Sequence, residues 1–151
     1  MKRIYRFKSY LNASHWVIFD GKRGELHPHT WEFSVKIQLL KDELVPFDVY
    51  ERAINAVFEP YQNRTVNDIA PFDTIVPLLE SLVEVFGAKL KDVVSELDAA
   101  LLEFEGSETP TRSYMLDYED EAVALQQSEP VAAPTDVEVS EVFDQLLEGL
   151  S

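Results

Sequence analysis

The chain has 151 residues, 46% of them hydrophobic, and a formal net charge of −15, which indicates one soluble domain with an additional tail. The acidity argues against nucleic-acid binding, because phosphates require Lys and Arg contacts. The absence of cysteine excludes disulfides, thiolate metal ligands and a cysteine nucleophile. No apolar run approaches the roughly 18 residues of a transmembrane helix, and no signal-peptide stretch follows the first residues, so we expect no membrane span and a cytoplasmic protein.

The first predicted element is a strand over residues 2–11, in which Tyr5, Phe7 and Leu11 share one parity. His15 follows this strand, and the next segment, 20–24, is rich in turn residues and contains an Asp-Gly pair. We therefore expect a loop between two antiparallel strands, which returns the chain towards His15.

The second predicted strand has the clearest pattern in the sequence, because apolar and polar residues alternate from His29 to Leu39. Side chains two residues apart on a strand project to the same face, so His27 and His29 point together and share that face with Trp31. Pro28 has no N–H to donate, and it is tolerated there only at the start of a strand or on an edge.

The three histidines of the chain, His15, His27 and His29, are brought towards one another by this hairpin. Imidazole is a good ligand for Zn²⁺, and three protein ligands leave a fourth position open for water or substrate. A zinc site is therefore one interpretation of the spacing. On spacing alone, the alternative that these are ordinary surface or core histidines stays open.

Two helices are predicted in the middle of the chain. In the first, apolar residues recur at helical spacing from Phe47 to Phe58. We expect Asp48 and Glu51 to form a capping box at its start, and Pro60 to end it.

The second helix follows a loop over 60–73. Thr74 is its expected cap, and Pro77 lies in the first turn, where a missing N–H costs little. We expect Gly87 to interrupt the apolar stripe before a further short helix over 88–97. Two strands, roughly 99–106 and 112–117, then complete the domain.

The element order is therefore strand, strand, helix, helix, strand, strand. This order predicts an α+β fold in which the helices cover one face of an antiparallel sheet.

The tail differs from the domain in composition, since residues 117–151 hold 10 of the 28 acidic residues and none of the 13 basic ones. After a domain over 1–117, residues 118–136 are predicted to be an acidic disordered linker. Residues 137–151 repeat apolar side chains at helical spacing and predict an amphipathic helix. This helix either packs on its own domain or docks into a groove of a partner protein, and the sequence leaves both open.

Several motifs resemble the 6-pyruvoyltetrahydropterin synthase family, which includes the bacterial 6-carboxytetrahydropterin synthases of queuosine precursor synthesis. The resemblance covers about residues 3–117. The motifs are Asn12-Ala13-Ser14-His15, Leu26-His27-Pro28-His29, Val66-Asn67-Asp68, Pro77-Leu78-Leu79-Glu80 and Glu108-Thr109.

The resemblance implies the tunnelling fold, a four-stranded antiparallel sheet with two helices on one face. Subunits of this fold join into barrels, usually as hexamers, with active sites between subunits. It also implies that His15, His27 and His29 hold Zn²⁺. Glu108 then matches the glutamate that anchors the pterin, because a carboxylate can accept parallel hydrogen bonds from a ring amine and a ring N–H.

The sequence departs from the family at the positions that transfer protons. Family enzymes carry a cysteine four residues before the first histidine of the pair, where this chain has Arg23. They also carry an Asp-His pair where this chain has Gln62 and Asn63. Neither amide titrates near pH 7, and Arg23 stays charged, so it can bind an anionic group but cannot act as a base.

Two functions are therefore expected as alternatives, with a purely structural zinc barrel as a third. The first is a zinc-dependent 6-carboxytetrahydropterin synthase-like lyase acting on a dihydroneopterin triphosphate-type substrate. Its candidate acid/base residues are Glu25, Glu32 and Asp68, and its candidate triphosphate contacts are Lys22, Arg23 and Arg64. The second is a non-catalytic or repurposed member that binds zinc and a pterin or purine-like molecule, with a tail helix that docks a partner.

Overall fold

The computed structural model describes residues 1–132. The strands in chain order are β1 (Ile4–His15), β2 (Ile18–Phe19), β3 (Lys22–Arg23), β4 (His27–Leu39), β5 (Ala99–Thr109) and β6 (Arg112–Asp117). The helices are α1 (Phe47–Phe58), α2 (Leu79–Ser95) and α3 (Glu119–Ala132), with short 3₁₀ turns at Glu59–Tyr61 and Val66–Asp68. Within these residues, no helix has the length and apolar character needed to cross a membrane.

The main sheet has four antiparallel strands in the spatial order β1, β4, β5, β6, while β2 and β3 form a separate small ribbon. The connection from β4 to β5 contains α1 and α2. The predicted order of four main strands around two central helices is therefore confirmed, and so is the α+β class.

The core lies between this sheet and the two helices because the period-two pattern of β4 places its large apolar side chains on one face. Phe33 is fully buried and stacks on Phe58 of α1 at 4.8 Å between ring centroids and on Phe104 of β5 at 5.4 Å. Phe86 of α2 meets the Phe33 ring edge to face at 5.6 Å. Both helices therefore cover the same face of the sheet.

β1 and β4 are longer than the sequence pattern predicts, since β1 continues to His15 and β4 already begins at His27. The ladder pairs His15 directly with His27, and Ala13 with His29. Pro28 is accommodated near the start of β4, where β5 has not yet begun to pair with it. Its missing N–H therefore leaves no gap in the sheet.

The predicted capping box of α1 is wrong. The helix begins at Phe47 with Pro46 at the N-cap, and no side chain caps it. Asp48 lies inside the first turn and pairs instead with Arg52 at 2.7 Å. The helix starts two residues earlier than the box requires, because the fixed φ of proline already suits the residue before a helix.

The predicted break at Gly87 is also wrong, because α2 runs unbroken from Leu79 to Ser95. The helix starts after Thr74 and Pro77, so neither residue belongs to it. A Cβ at Gly87 would lie 2.5 Å from the Tyr118 hydroxyl oxygen and 3.3 Å from Phe104 Cδ2. The glycine thus permits close approach of the helix to its neighbours and does not end the helix.

Helix α3 occupies most of the segment predicted to be a disordered linker over 118–136. Acidic residues at its start favour the helix through the macrodipole, and the Glu119 N–H donates to Asp117 Oδ1 at 2.8 Å. Its alanines, glutamines and leucine are good helix formers, which a count of charges and large apolar groups overlooks. The first compact unit spans Met1–Glu119. The amphipathic helix predicted over 137–151 lies outside the described residues.

We expect Gly106→Ala to lower the free energy of unfolding by about 1–3 kcal/mol through overpacking. A Cβ there would lie 2.6 Å from Val83 Cγ2 and 2.8 Å from Phe33 Cε1, inside the packed core. Urea denaturation followed by circular dichroism measures the change. Ser107→Ala is the matched control on the opposite face of β5, and we expect it to stay within about 0.5 kcal/mol. Equal losses for the two variants would contradict the packing argument.

Candidate metal centre and adjoining cleft

Three histidines converge at one end of the β1–β4 hairpin, on the face that the helices cover. His15 ends β1 and is buried, with 2% of its surface exposed, while His27 and His29 on β4 are partly exposed. One ring nitrogen from each of the three lies within 4.8 Å of the others. The structure therefore brings together the three ligands that the sequence suggests.

The hydrogen bonds of two of these rings determine which nitrogens face the centre. His15 Nδ1 lies 2.8 Å from the Pro77 carbonyl oxygen, and His27 Nδ1 lies 2.9 Å from the Glu25 carbonyl oxygen. A carbonyl oxygen only accepts, so each Nδ1 carries the proton and each Nε2 presents a lone pair.

The two Nε2 atoms of His15 and His27 are 2.9 Å apart. Facing lone pairs at this distance repel each other unless a cation lies between or beside them. In a tetrahedral zinc site with bonds of about 2.0–2.1 Å, ligand nitrogens are about 3.3 Å apart. The donor set therefore fits Zn²⁺, with the backbone carbonyls orienting the ligand rings from outside.

Burial lowers the pKa of His15 and of His29 below the ordinary value of 6.5. The Pro77 carbonyl opposes this shift at His15, and the Glu108 carboxylate opposes it at both rings. Burial thus favours the neutral imidazole, which is the form that binds metal.

A cleft of about 380 Å³ opens beside the three histidines. It is bounded by the start of α2, the end of β5 and the start of β6, so its walls come from distant parts of the chain. Besides the histidines and Val17, the lining side chains are Leu78, Leu79, Glu80, Glu108, Arg112, Ser113 and Tyr114.

Glu108, the predicted pterin anchor, lies in this cleft with the three histidines. Its Oε1 accepts a hydrogen bond from Trp31 Nε1 at 3.1 Å. Tyr114 lines the same wall, and its hydroxyl donates to Glu84 at 3.0 Å.

The predicted anion contact Arg23 does not line the cleft. Its guanidinium carbon lies 4.1 Å from the centroid of the Trp16 ring, in a cation–π contact on the small β2–β3 ribbon. Arg64 donates to the Pro60 carbonyl oxygen at 3.3 Å. Lys22, on β3, is likewise absent from the lining residues. The cation that does line the cleft is Arg112, which forms no ion pair within the described residues.

Gln62 and Asn63, which the sequence resemblance aligns with the family's Asp-His pair, form hydrogen bonds along the outer edge of β1. The Gln62 side chain donates to the Tyr10 carbonyl oxygen at 2.7 Å and accepts from the Asn12 N–H at 3.0 Å. The Asn63 N–H donates to the Asn12 carbonyl oxygen at 2.6 Å. Both residues therefore supply hydrogen bonds to an edge strand, and neither side chain can relay a proton.

Asn67, from the Val66-Asn67-Asp68 motif, has a comparable structural role. It is buried, and its side-chain amide accepts from the Trp16 N–H and donates to the Trp16 carbonyl oxygen, each at 2.9 Å. This pair of bonds holds the chain directly after His15.

The three carboxylates proposed from the sequence as acid/base groups lie outside the cleft. Glu32 is on the open face of the sheet, where it pairs with Lys8 at 2.9 Å. Glu25 and Asp68 are exposed and do not contribute to the lining. Glu80 does line the cleft, and it was not among the carboxylates predicted from the sequence, although it closes the quoted Pro77-Leu78-Leu79-Glu80 motif.

Arg112 and Tyr114 also line the cleft, and neither was predicted from the sequence to do so. Both follow Glu108 closely in the sequence and share a parity on β6, which was a signal that they project to one face. Which face that is depends on how β6 pairs with β5.

The family model of 6-pyruvoyl tetrahydropterin synthase matches residues 4–119 of this chain. No curated protein matches the sequence. Solved structures with the same fold include the 6-pyruvoyl tetrahydropterin synthase of Caenorhabditis elegans, at 16% identity and a TM-score of 0.65. That match covers 78% of this chain and 96% of the other.

Two Plasmodium structures give similar results. The Plasmodium falciparum 6-pyruvoyl tetrahydropterin synthase has 14% identity and a TM-score of 0.59, covering 76% of this chain and 96% of its own. A Plasmodium vivax 6-pyruvoyltetrahydropterin synthase in which alanine replaces a catalytic glutamate has 14% identity and a TM-score of 0.51, covering 76% and 97%. At these identities the likeness shows a shared fold.

We expect the metal-free protein to lose stability as the pH falls below about 6.5, and His29→Asn to lose less. In the unfolded chain His29 takes up a proton near its ordinary pKa, whereas the folded protein keeps the ring neutral to lower pH. The unfolded state then binds more protons, so its free energy falls relative to the folded state.

Urea denaturation in the presence of a chelator, at pH 7.5 and pH 5.5, measures the loss in the free energy of unfolding for the protein and for His29→Asn. The carboxylates elsewhere in the chain contribute equally to the loss of stability in the protein and in the variant. Their contribution therefore cancels when the two losses are subtracted. An equal loss in both would contradict the effect of burial on this histidine.

Proposed function

The chain belongs to the 6-pyruvoyl tetrahydropterin synthase family, and from that membership we propose a zinc-dependent, 6-carboxytetrahydropterin synthase-like lyase. Its proposed substrate is of the dihydroneopterin triphosphate type. The observation that carries the proposal is the convergence of three imidazole nitrogens and the Glu108 carboxylate on one cleft of about 380 Å³.

His15, His27 and His29 would hold the metal. Zinc bound there supplies Lewis-acid polarisation of substrate oxygens, which makes adjacent C–H protons more acidic. The carbonyl oxygens of Pro77 and Glu25 hold the His15 and His27 rings in the ligating tautomer.

Glu108 would bind the heterocycle. One of its oxygens already accepts from Trp31, which leaves the second oxygen and a remaining lone pair for two parallel donors on a pterin edge. A purine-like ring with the same amine and N–H edge presents the same donors.

Proton transfer requires a titratable group in the cleft, because Gln62 and Asn63 cannot perform it. Glu80 is the candidate we propose, since it is the carboxylate residue besides Glu108 that lines the cleft. The Plasmodium vivax protein, in which a glutamate is described as catalytic, supports the idea that a carboxylate can serve in this family.

The alternative function is a non-catalytic or repurposed member that binds zinc and a pterin or purine-like molecule. The structural use of Gln62 and Asn63 favours it, because those positions contribute to the β1 edge and not to proton transfer. In this alternative, residues 137–151 serve as the docking segment for a protein partner.

We also propose a cytoplasmic homo-oligomer, with a hexamer as the family-based expectation. β6 is an edge strand of the sheet, and its outer side pairs with no strand in the described part of the chain. Such an edge can accept a strand from another subunit.

The central experiment measures zinc content and turnover on one purified sample. We expect about one zinc per chain and a carboxy- or pyruvoyl-type pterin product from dihydroneopterin triphosphate, detected by chromatography. His29→Ala should lose both zinc and product, since it removes one of only three ligands. Glu80→Gln should keep zinc and bind substrate, but lose product.

Zinc and pterin binding without product would support the repurposed alternative and overturn the lyase. Zinc without binding of any pterin or purine would overturn both and leave a structural metal site. Full activity in Glu80→Gln would remove that residue from the mechanism.

We expect Arg112→Gln to weaken binding of dihydroneopterin triphosphate by about 10-fold to 100-fold, because it removes a charged hydrogen-bond donor from the cleft. Binding of dihydroneopterin, which lacks the phosphates, should change by less than about threefold. Isothermal titration calorimetry on zinc-loaded protein measures both. Arg23→Gln is the comparison, and a larger loss there would show that the cation indicated by the sequence is the anion contact.

A further inference from the structure

Trp31 contacts both halves of the candidate site. Its ring lies 4.9 Å from the His15 ring and 5.2 Å from the His29 ring, measured between centroids. Its indole Nε1 donates to Glu108 Oε1 at 3.1 Å. One fully buried side chain therefore touches two candidate metal ligands and the candidate substrate anchor.

We propose that Trp31 is a positioning residue that holds the Glu108 carboxylate in one orientation relative to the three histidines. This role rests on the proposed function, because the binding of a heterocycle by Glu108 is itself part of that proposal. The Trp31 hydrogen bond would fix the distance between the Glu108 carboxylate and the three histidines. Neither the histidines nor Glu108 can fix this distance alone.

The placement of Trp31 explains why it can do this. It lies on β4 two residues after His29, so it shares the rigid strand that carries two of the ligands. Glu108 lies on the neighbouring β5, beyond the last paired register of Glu32 with Ser107. The indole bond therefore ties the end of β5 to β4 where the backbone ladder between the two strands stops.

The bond also limits the rotational freedom of the Glu108 side chain. A glutamate has three rotatable side-chain bonds, and fixing them on binding costs roughly 1–2 kcal/mol. A carboxylate already oriented by the indole avoids part of this cost when ligand arrives. A phenyl ring would keep the apolar contacts with the imidazoles, but it has no N–H to offer.

The bond itself can be tested without any ligand. The chain has two tryptophans, so a ¹H–¹⁵N spectrum contains two indole signals, and Trp31→Phe assigns them. In Glu108→Ala we expect the Trp31 indole proton to shift and to exchange faster with solvent, while the Trp16 signal stays in place. A Glu108→Ala spectrum in which neither indole signal moves would overturn the proposal even if Trp31→Phe failed to fold.

The role in binding is tested by a double-mutant cycle of Trp31→Phe and Glu108→Gln on zinc-loaded protein, with neopterin as the probe in calorimetry. We expect Trp31→Phe to weaken binding about fivefold to tenfold, the loss of one hydrogen bond. In the Glu108→Gln background the same change should have an effect of less than about twofold. Zinc content should stay near one per chain, as in the unaltered protein.

The outcomes separate this inference from the proposed function. If the unaltered protein binds zinc but no pterin, the proposed function is wrong, and the role of Trp31 in it is wrong as well. If the protein binds pterin and Trp31→Phe binds it equally well, only the inference is overturned. Loss of zinc in Trp31→Phe, or an equal loss of affinity in both backgrounds, would also overturn it, because Trp31 would then act through the metal site or general folding.

Discussion

The candidate site depends on the register of one pair of strands. β1 and β4 pair so that His15 lies directly across from His27, with His29 two residues further on the same face. A slip of one residue in β4 would turn its histidines to the open face of the sheet together with the apolar residues beyond them. The burial of Trp31 and Phe33 against the helices opposes that slip, so the core packing also holds the ligands in place.

The cleft assembles residues that lie far apart in the sequence. The candidate metal ligands come from the first hairpin, Glu108 and Arg112 come from the last one, and α2 begins beside both of them. The carbonyl of Pro77, just before α2, orients His15 at 2.8 Å. Trp31 then connects the first hairpin to the last through a single hydrogen bond. The candidate metal ligands and the candidate ring anchor are thus parts of one packed unit.

The residues that the resemblance aligns with the family's proton-transfer groups make structural contacts in this chain. Gln62 and Asn63 hydrogen-bond the outer edge of β1, and Arg23 stacks on Trp16. A residue that satisfies a strand edge stabilises the hairpin that carries the ligands, but it cannot titrate. The proposed catalysis therefore needs another titratable group, and Glu80 is the carboxylate residue that lines the cleft alongside Glu108.

The sequence by itself determined the α+β class, the order of the main elements and the grouping of the histidines, because strand alternation and turn chemistry are local properties. The capping box at Asp48 and the break at Gly87 were predicted wrongly from equally local signals. Only the tertiary structure decided that Gly87 sits inside a helix packed closely against its neighbours, and that Arg112, not Arg23, lines the cleft. Those outcomes depend on which strands pair and which surfaces meet, and such contacts between distant residues leave no pattern in a single stretch of chain.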